Sequence, residues 1–127
     1  MLVKINEGDT KMHRVLLISN NENLIDKQLK YINKSGCICH TTENEESAID
    51  IIHEKKPDVI VDELYKPGEK SIELVQIARK AKPHIPVIFI TNNKNIDHAI
   101  ATLKAGAFDY LPAAVTNKKL VELINEA

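Results

Sequence analysis

Two neighbouring acids, Asp62 and Glu63, end the apolar run Val59-Ile60-Val61, and with Glu22 they are the side chains best suited to hard-cation chemistry. Mg²⁺ prefers carboxylate oxygens, and a carboxylate can also act as a nucleophile. Ser19 and Asn20 end a second apolar run, Val15-Leu16-Leu17-Ile18, and Thr91 ends a third, Pro86-Val87-Ile88-Phe89-Ile90. The competing reading of Glu22 and Asp62 is that of solvated acids at strand ends, and it is the stronger, so no metal site is expected. Cys37 and Cys39 resemble half a metal site, yet no second cysteine pair exists, and His13, His40, His53, His84 and His98 lack ligand spacing. In an extended segment the two thiols share a face, and a disulfide between them would be strained. They read as small buried hydrophobes in a reduced compartment. Lys55-Lys56 and Arg79-Lys80-Ala81-Lys82 sit at predicted helix ends, where they oppose the helix dipole rather than gather phosphates.

The elements that must position these residues follow from periodicity. The three apolar runs are continuous, as strands buried on both faces should be. Cys37-Ile38-Cys39 after Gly36 and the segment from Phe108 to Leu111 are weaker strands. Helical spacing fills the gaps: Ile25, Leu29 and Ile32; Ala48, Ile49 and Ile52 after a cap at Asn44; Ile72, Val75 and Ala78 after Ser71; Ile96, Ile100 and Leu103 after Asn95; Leu120, Val121 and Ile124 after Thr116. Gly36, Pro57, Pro67-Gly68, Pro83, Pro86 and Gly106 punctuate the intervals. Five β-then-α units in succession imply an α/β fold with a parallel sheet, right-handed crossovers and helices on both faces. In such sheets ligands sit at the carboxyl ends of the strands, here 19–23, 62–66, 91–93 and 112–115.

Composition bounds the rest. A chain of 127 residues has room for one domain, and 43% hydrophobic with 28% charged residues is a globular balance. A net charge of -1 gives no pull toward nucleic acid or an anionic membrane. No apolar run approaches the ~20 residues of a membrane span. With 4% aromatics and no Trp, a stacking platform for single strands is lacking. Residues 1–12 read as a loose leader without a signal-peptide core, and 13–127 as the domain. The last helix reads to the final residue, which suits a domain taken from something longer. A nucleotide site would want glycines in the first βα loop, and 19–23 contains none.

In order and spacing, the chain resembles the receiver domain of two-component response regulators. The resemblance runs from Arg14 to Glu126. Arg14-Val-Leu-Leu-Ile-Ser-Asn-Asn-Glu-Asn23 is similar to the family's first strand and acidic loop, and Gly36-Cys-Ile-Cys-His-Thr-Thr-Glu-Asn-Glu-Glu-Ser-Ala48 to its second strand and helix entry. Pro57-Asp-Val-Ile-Val-Asp-Glu-Leu-Tyr-Lys-Pro-Gly68 is similar to the phosphoacceptor strand and loop, while Ile85-Pro-Val-Ile-Phe-Ile-Thr91 and Lys104-Ala-Gly-Ala-Phe-Asp-Tyr-Leu111 resemble the last two strands. The resemblance implies a doubly wound, flavodoxin-like sheet of strand order 2-1-3-4-5. It also implies phosphoryl transfer onto an Asp, assisted by Mg²⁺. Counting from Pro57 and back from Pro67 places Glu63 at the acceptor position, with Asp62 as the alternative on the opposite face. The two acids of the first loop are replaced by Ser19 and Asn20, and the family's Lys by Ala113, followed by Ala114. Thr91 keeps the hydroxyl position and Tyr110 the aromatic switch position. These losses compound, because positioning and electrostatics supply most of phosphoryl-transfer catalysis.

The resemblance therefore implies a degenerate receiver, a pseudo-receiver: not an enzyme, without a cofactor, and acting by phosphorylation-independent contact with a protein partner or a second copy. Glu63 reads either as a built-in mimic of the phosphorylated acid or as a tolerated acidic residue, and the lost Lys favours the second. The alternatives are a working phosphorelay receiver using Mg²⁺ and either Asp62 or Glu63, or a small-ligand sensor in the strand-end crevice. In the family, helix 4, strand 5 and helix 5 form the contact face, here 95–104, 108–111 and 116–127. On it, helix 4 is expected to bury Ile96, Ile100 and Leu103 and to present Asp97, His98, Thr102 and Lys104. Helix 5 is expected to bury Leu120 and Ile124 and to present Lys118, Lys119 and Glu122, with Tyr110 at the rim, its hydroxyl in water. Direct contact with nucleic acid or membrane is not expected, and the location is expected to be cytoplasmic.

Overall fold

The apolar runs are strands, and the periodic segments between them are helices. The computed structural model describes residues 14–20, 32–34, 36–64, 69–81, 84–91, 96–112 and 117–127. The strands are β1 (Arg14–Ile18), β2 (Ile38–Thr42), β3 (Val59–Leu64), β4 (Val87–Thr91) and β5 (Asp109–Pro112). Residues 32–34 are helical and count as α1. The helices after it are α2 (Glu45–Lys55), α3 (Glu69–Lys80), α4 (Ile96–Ala105) and α5 (Asn117–Glu126). The leader 1–12 lies outside the described residues, as do Glu22, Asn95, Ala113 and Thr116. Strand boundaries differ from the sequence expectation by one to three residues, most at β2, which runs on to Thr42, and at β3, which continues through Asp62 and Glu63 to Leu64.

All pairings are parallel and the sheet order is β2-β1-β3-β4-β5, the doubly wound order expected. Alternation along each strand divides the core. Leu16, Ile18, Ile60, Val87 and Phe89 face α2 and α3, while Val15, Leu17, Val59, Val61, Ile88 and Ile90 face α5 and Ile32 of α1. Each fully buried Leu, Ile or Phe contributes about 1.5–3 kcal/mol over its exposed state, most of which conformational entropy offsets.

Local chemistry sets the helix ends. Asn44 caps α2 by accepting the Ser47 N–H at 2.8 Å. Lys56 ends it in the left-handed region (φ 47°), where glycine or asparagine is usual. After α4, Gly106 turns with φ 116° while the stem of Arg79 crosses the space a Cβ would fill, and Arg79 Nη1 donates to Ala105 O at 3.0 Å. Cys37 is buried, Cys39 half-buried, and neither is in a disulfide.

α5 meets its expectation: Leu120 and Ile124, joined by Leu123, are buried, and Lys118, Lys119 and Glu122 are exposed. α4 does not. Ile96 is 72% exposed, Ile100 46% and Leu103 45%, whereas Thr102 is fully buried and His98 half-buried. The helix carries two stripes at the same spacing, and it turns His98, Thr102 and Ala105 inward. The buried Thr102 hydroxyl is satisfied within its own helix, donating to His98 O and Ala99 O at 3.1 and 3.0 Å. Polar residues can line this interface because each has a partner there.

Candidate functional site

The carboxyl ends of β1, β3 and β4 carry the expected residues. Ser19 extends the β1–β2 ladder, its N–H donating to Thr42 O at 2.9 Å. Since Ile18 pairs with Asp62, Ser19 and Glu63 stand on the next rung, with side chains on the α5 side. There Ser19 Oγ donates to Glu63 Oε1 at 2.6 Å, a short charge-assisted bond. Asn20 is exposed, and Thr91 is buried opposite Leu64, one rung beyond Glu63. Ala113 lies outside the described residues.

Asp62 departs from its expectation. It is fully buried, not solvated, because β3 keeps its pleat past Val61 and turns this side chain toward α2. Among the described residues, neither carboxylate oxygen has a partner in hydrogen-bond geometry. Burial, then the charge and approach of the Glu45 carboxyl, then the charge of Glu63, push its pKa well above the carboxylate range. Asp62 and Glu63 thus lie on opposite faces of β3.

Around these positions the described donor set is sparse for a hard cation. One Glu63 oxygen is engaged by Ser19, Asp62 points to the other face, and a hydroxyl and an amide stand where two carboxylates are needed. Among the described residues, no group of three His, Cys, Asp or Glu is placed to hold a metal ion.

A second polar assembly escaped the sequence reading. Tyr110, half-buried on β5, sets its ring 5.9 Å from Phe89 and 5.8 Å from His98. Its hydroxyl stands 3.1 Å from His98 Nδ1, and His98 Nε2 is 2.8 Å from Ser71 Oγ. Each ring nitrogen meets one hydroxyl, with the donor and acceptor roles set by the tautomer. Burial raises the Tyr110 pKa. The chain Ser71–His98–Tyr110 thus ties the first turn of α3 to α4 and β5. Sequence spacing carries no signal for it, because its three members lie on three elements.

Known proteins give a consistent picture. NtrC, a DNA-binding transcriptional regulator of Escherichia coli K12, is 31% identical over 93 residues, covering 73% of this chain and 20% of that protein. The nitrogen assimilation regulatory protein NtrX of Azorhizobium caulinodans is 23% identical over 117 residues, covering 91% of this chain and 26% of its own length. The chain thus spans a fifth to a quarter of these relatives. Among solved structures, a CheY-like receiver domain from Methanospirillum hungatei superposes with a TM-score of 0.81 at 20% identity, covering 91% of this chain and 93% of that one. The receiver domain of a LuxO repressor protein from Vibrio parahaemolyticus gives 0.78 at 21% identity, covering 91% and 92%. These two establish the fold. The model of the response regulator receiver domain matches residues 15–125, and with that match the chain belongs to the receiver-domain family of two-component signalling.

Proposed function

We propose that this domain is a pseudo-receiver, which signals by protein contact through α4, β5 and α5 without phosphorylation of Glu63 or Asp62. The observation that carries the reading is the outward apolar stripe of α4. Ile96, Ile100 and Leu103 stand in solvent on one face of a helix, with Phe108 exposed after it. Apolar residues grouped in this way mark interaction surfaces. The charged face of α5 beside it, with Lys118, Lys119 and Glu122, suits a rim. The occupant is a second copy of this chain or a protein partner. Neither nucleic acid nor membrane is contacted directly, the chemistry is not enzymatic, and the location is cytoplasmic. Among the described residues no helix is long and apolar enough to cross a membrane.

The chemical half of the reading rests on Ser19, Asn20 and the buried Asp62. Without acids at the first two positions there is little to hold Mg²⁺ against the incoming phosphoryl group. The test is incubation with Mg²⁺ and acetyl phosphate, followed by intact mass and by sedimentation over a concentration series. The mass stays unchanged, and self-association or partner binding weakens in Ile100→Glu. A base-labile phosphoryl adduct at Glu63 or Asp62 overturns the reading and restores the phosphorelay alternative.

A further inference from the structure

The opposite end of the sheet holds a cavity that this function does not use. It lies between the C-terminal ends of α2 and α3, beside the entries to β3 and β4, and encloses about 500 Å³. That is within the usual range for small-molecule sites. Ile52, Pro57 and Ile85 are buried and form its apolar floor with half-buried Ile77 and Ala81. Lys56, Lys80, His53 and His84 stand exposed around the rim.

The basic side chains have no structural duty there. The α2 carbonyl of Lys55 accepts the Arg14 guanidinium at 3.3 Å, and Ile52 O accepts the Lys56 N–H at 3.2 Å. At the end of α3, Ala78 O takes the N–H groups of Ala81 and Ile85, and Ile77 O that of Ala81. These four carbonyls are therefore satisfied without the lysine ammonium groups. Among the described residues Lys56 and Lys80 form no ion pair or hydrogen bond through their side chains. Asp58, the one acid on the lining, is already engaged by the Arg14 backbone N–H at 2.8 Å. Lys56 also holds a left-handed backbone where glycine would be relaxed, so its side chain is retained at a conformational cost.

We infer that this cleft binds a small organic anion with an apolar body, such as an aliphatic carboxylate. The body lies on Ile52, Ile77 and Ile85, and the carboxylate meets Lys56 and Lys80 at the rim. An apolar floor under uncommitted cations selects this class over neutral or cationic molecules of the same shape.

The test is titration of the isotope-labelled full chain with octanoate, 1-octanol and octylammonium, read by ¹⁵N–¹H correlation spectra. Octanoate gives saturable shifts confined to 52–58 and 77–85 and binds more tightly than octanol, with octylammonium weakest. Lys56→Glu combined with Lys80→Glu weakens octanoate roughly tenfold or more while the circular dichroism stays native, since both side chains are exposed. Lys56→Gly weakens octanoate yet raises the thermal midpoint by relieving the backbone. Absence of saturation, octanol binding as tightly as octanoate, or shifts centred on the α4 stripe would each overturn the proposal. So would an unchanged affinity in the double charge variant.

Discussion

Replacing Asp62 with valine should stabilise this protein at neutral pH. The carboxyl is fully buried between the strand neighbours Ile18 and Phe89, and beyond the approach of the Glu45 carboxyl neither oxygen has a partner in hydrogen-bond geometry among the described residues. Burying a polar group uncompensated costs about 1–3 kcal/mol in protein mutational data. Valine is of similar size, favours a strand and removes that penalty. Titration adds a signature of its own. Burial, reinforced by Glu45 and Glu63, keeps the native carboxyl protonated well above the ordinary carboxylate range, whereas the unfolded chain releases the proton near pH ~3.9. Above that pH the native state binds more protons than the unfolded state. Stability from this group is therefore complete below about pH 4 and declines as pH rises, by up to about 1.4 kcal/mol per unit, until the native pKa is passed. Urea unfolding of both proteins, followed by circular dichroism from about pH 4 to pH 7, reads the difference directly. The variant should lead by about 1–3 kcal/mol near pH ~4, where the carboxyl is protonated in both states, with the gap widening toward neutrality by up to about 1.4 kcal/mol per unit. A variant less stable than the parent at neutral pH, or a gap that does not change with pH, would refute a buried, protonated Asp62.

Three further outcomes are expected. Ser19→Ala removes the donor to Glu63 and should lower stability by about 1 kcal/mol in the same urea assay, whereas an unchanged midpoint would mean that water replaces the hydroxyl fully. The phenol of Tyr110 should ionise at higher pH than a free tyrosine, seen as the late-rising part of the ultraviolet titration that Tyr110→Phe removes. Burial, with a smaller effect of Cys37, raises the Cys39 thiol to about 11, so at mildly alkaline pH its alkylation should lag free cysteine roughly a hundredfold, and fast labelling would contradict its burial.

The sheet was legible because continuous apolar runs separated by amphipathic segments leave few ways to pair. The resemblance put Ser19 and Glu63 at strand ends, but their hydrogen bond was not legible, because periodicity does not set the register of β1 against β3. α4 was misread for a definable reason. Periodicity reveals a stripe but not the side on which it lies, and Ile96, Ile100 and Leu103 have a rival stripe at the same spacing. His98 and Thr102 appear unsuited to burial until Ser71, Tyr110 and the helix's own carbonyls are seen to satisfy them. Asp62 was misjudged similarly: a carboxylate reads as solvated, and only the pleat of β3 shows that its position faces the core.

The Ser71–His98–Tyr110 chain also bears on how tightly the α4 surface can bind. A helix that had to find its docked orientation during association would lose conformational entropy at that moment, and its affinity would fall accordingly. Here two hydrogen bonds, each worth about 1 kcal/mol net, tie His98 of α4 to α3 and β5, and Tyr110 is itself packed on Phe89 of β4, before any partner arrives. Its outer stripe is thus a preorganised template rather than an adaptable one. Such a surface favours partners of one matching shape and discriminates by fit, and relaxing the tie, as in His98→Ala, should broaden what it accepts while weakening each contact.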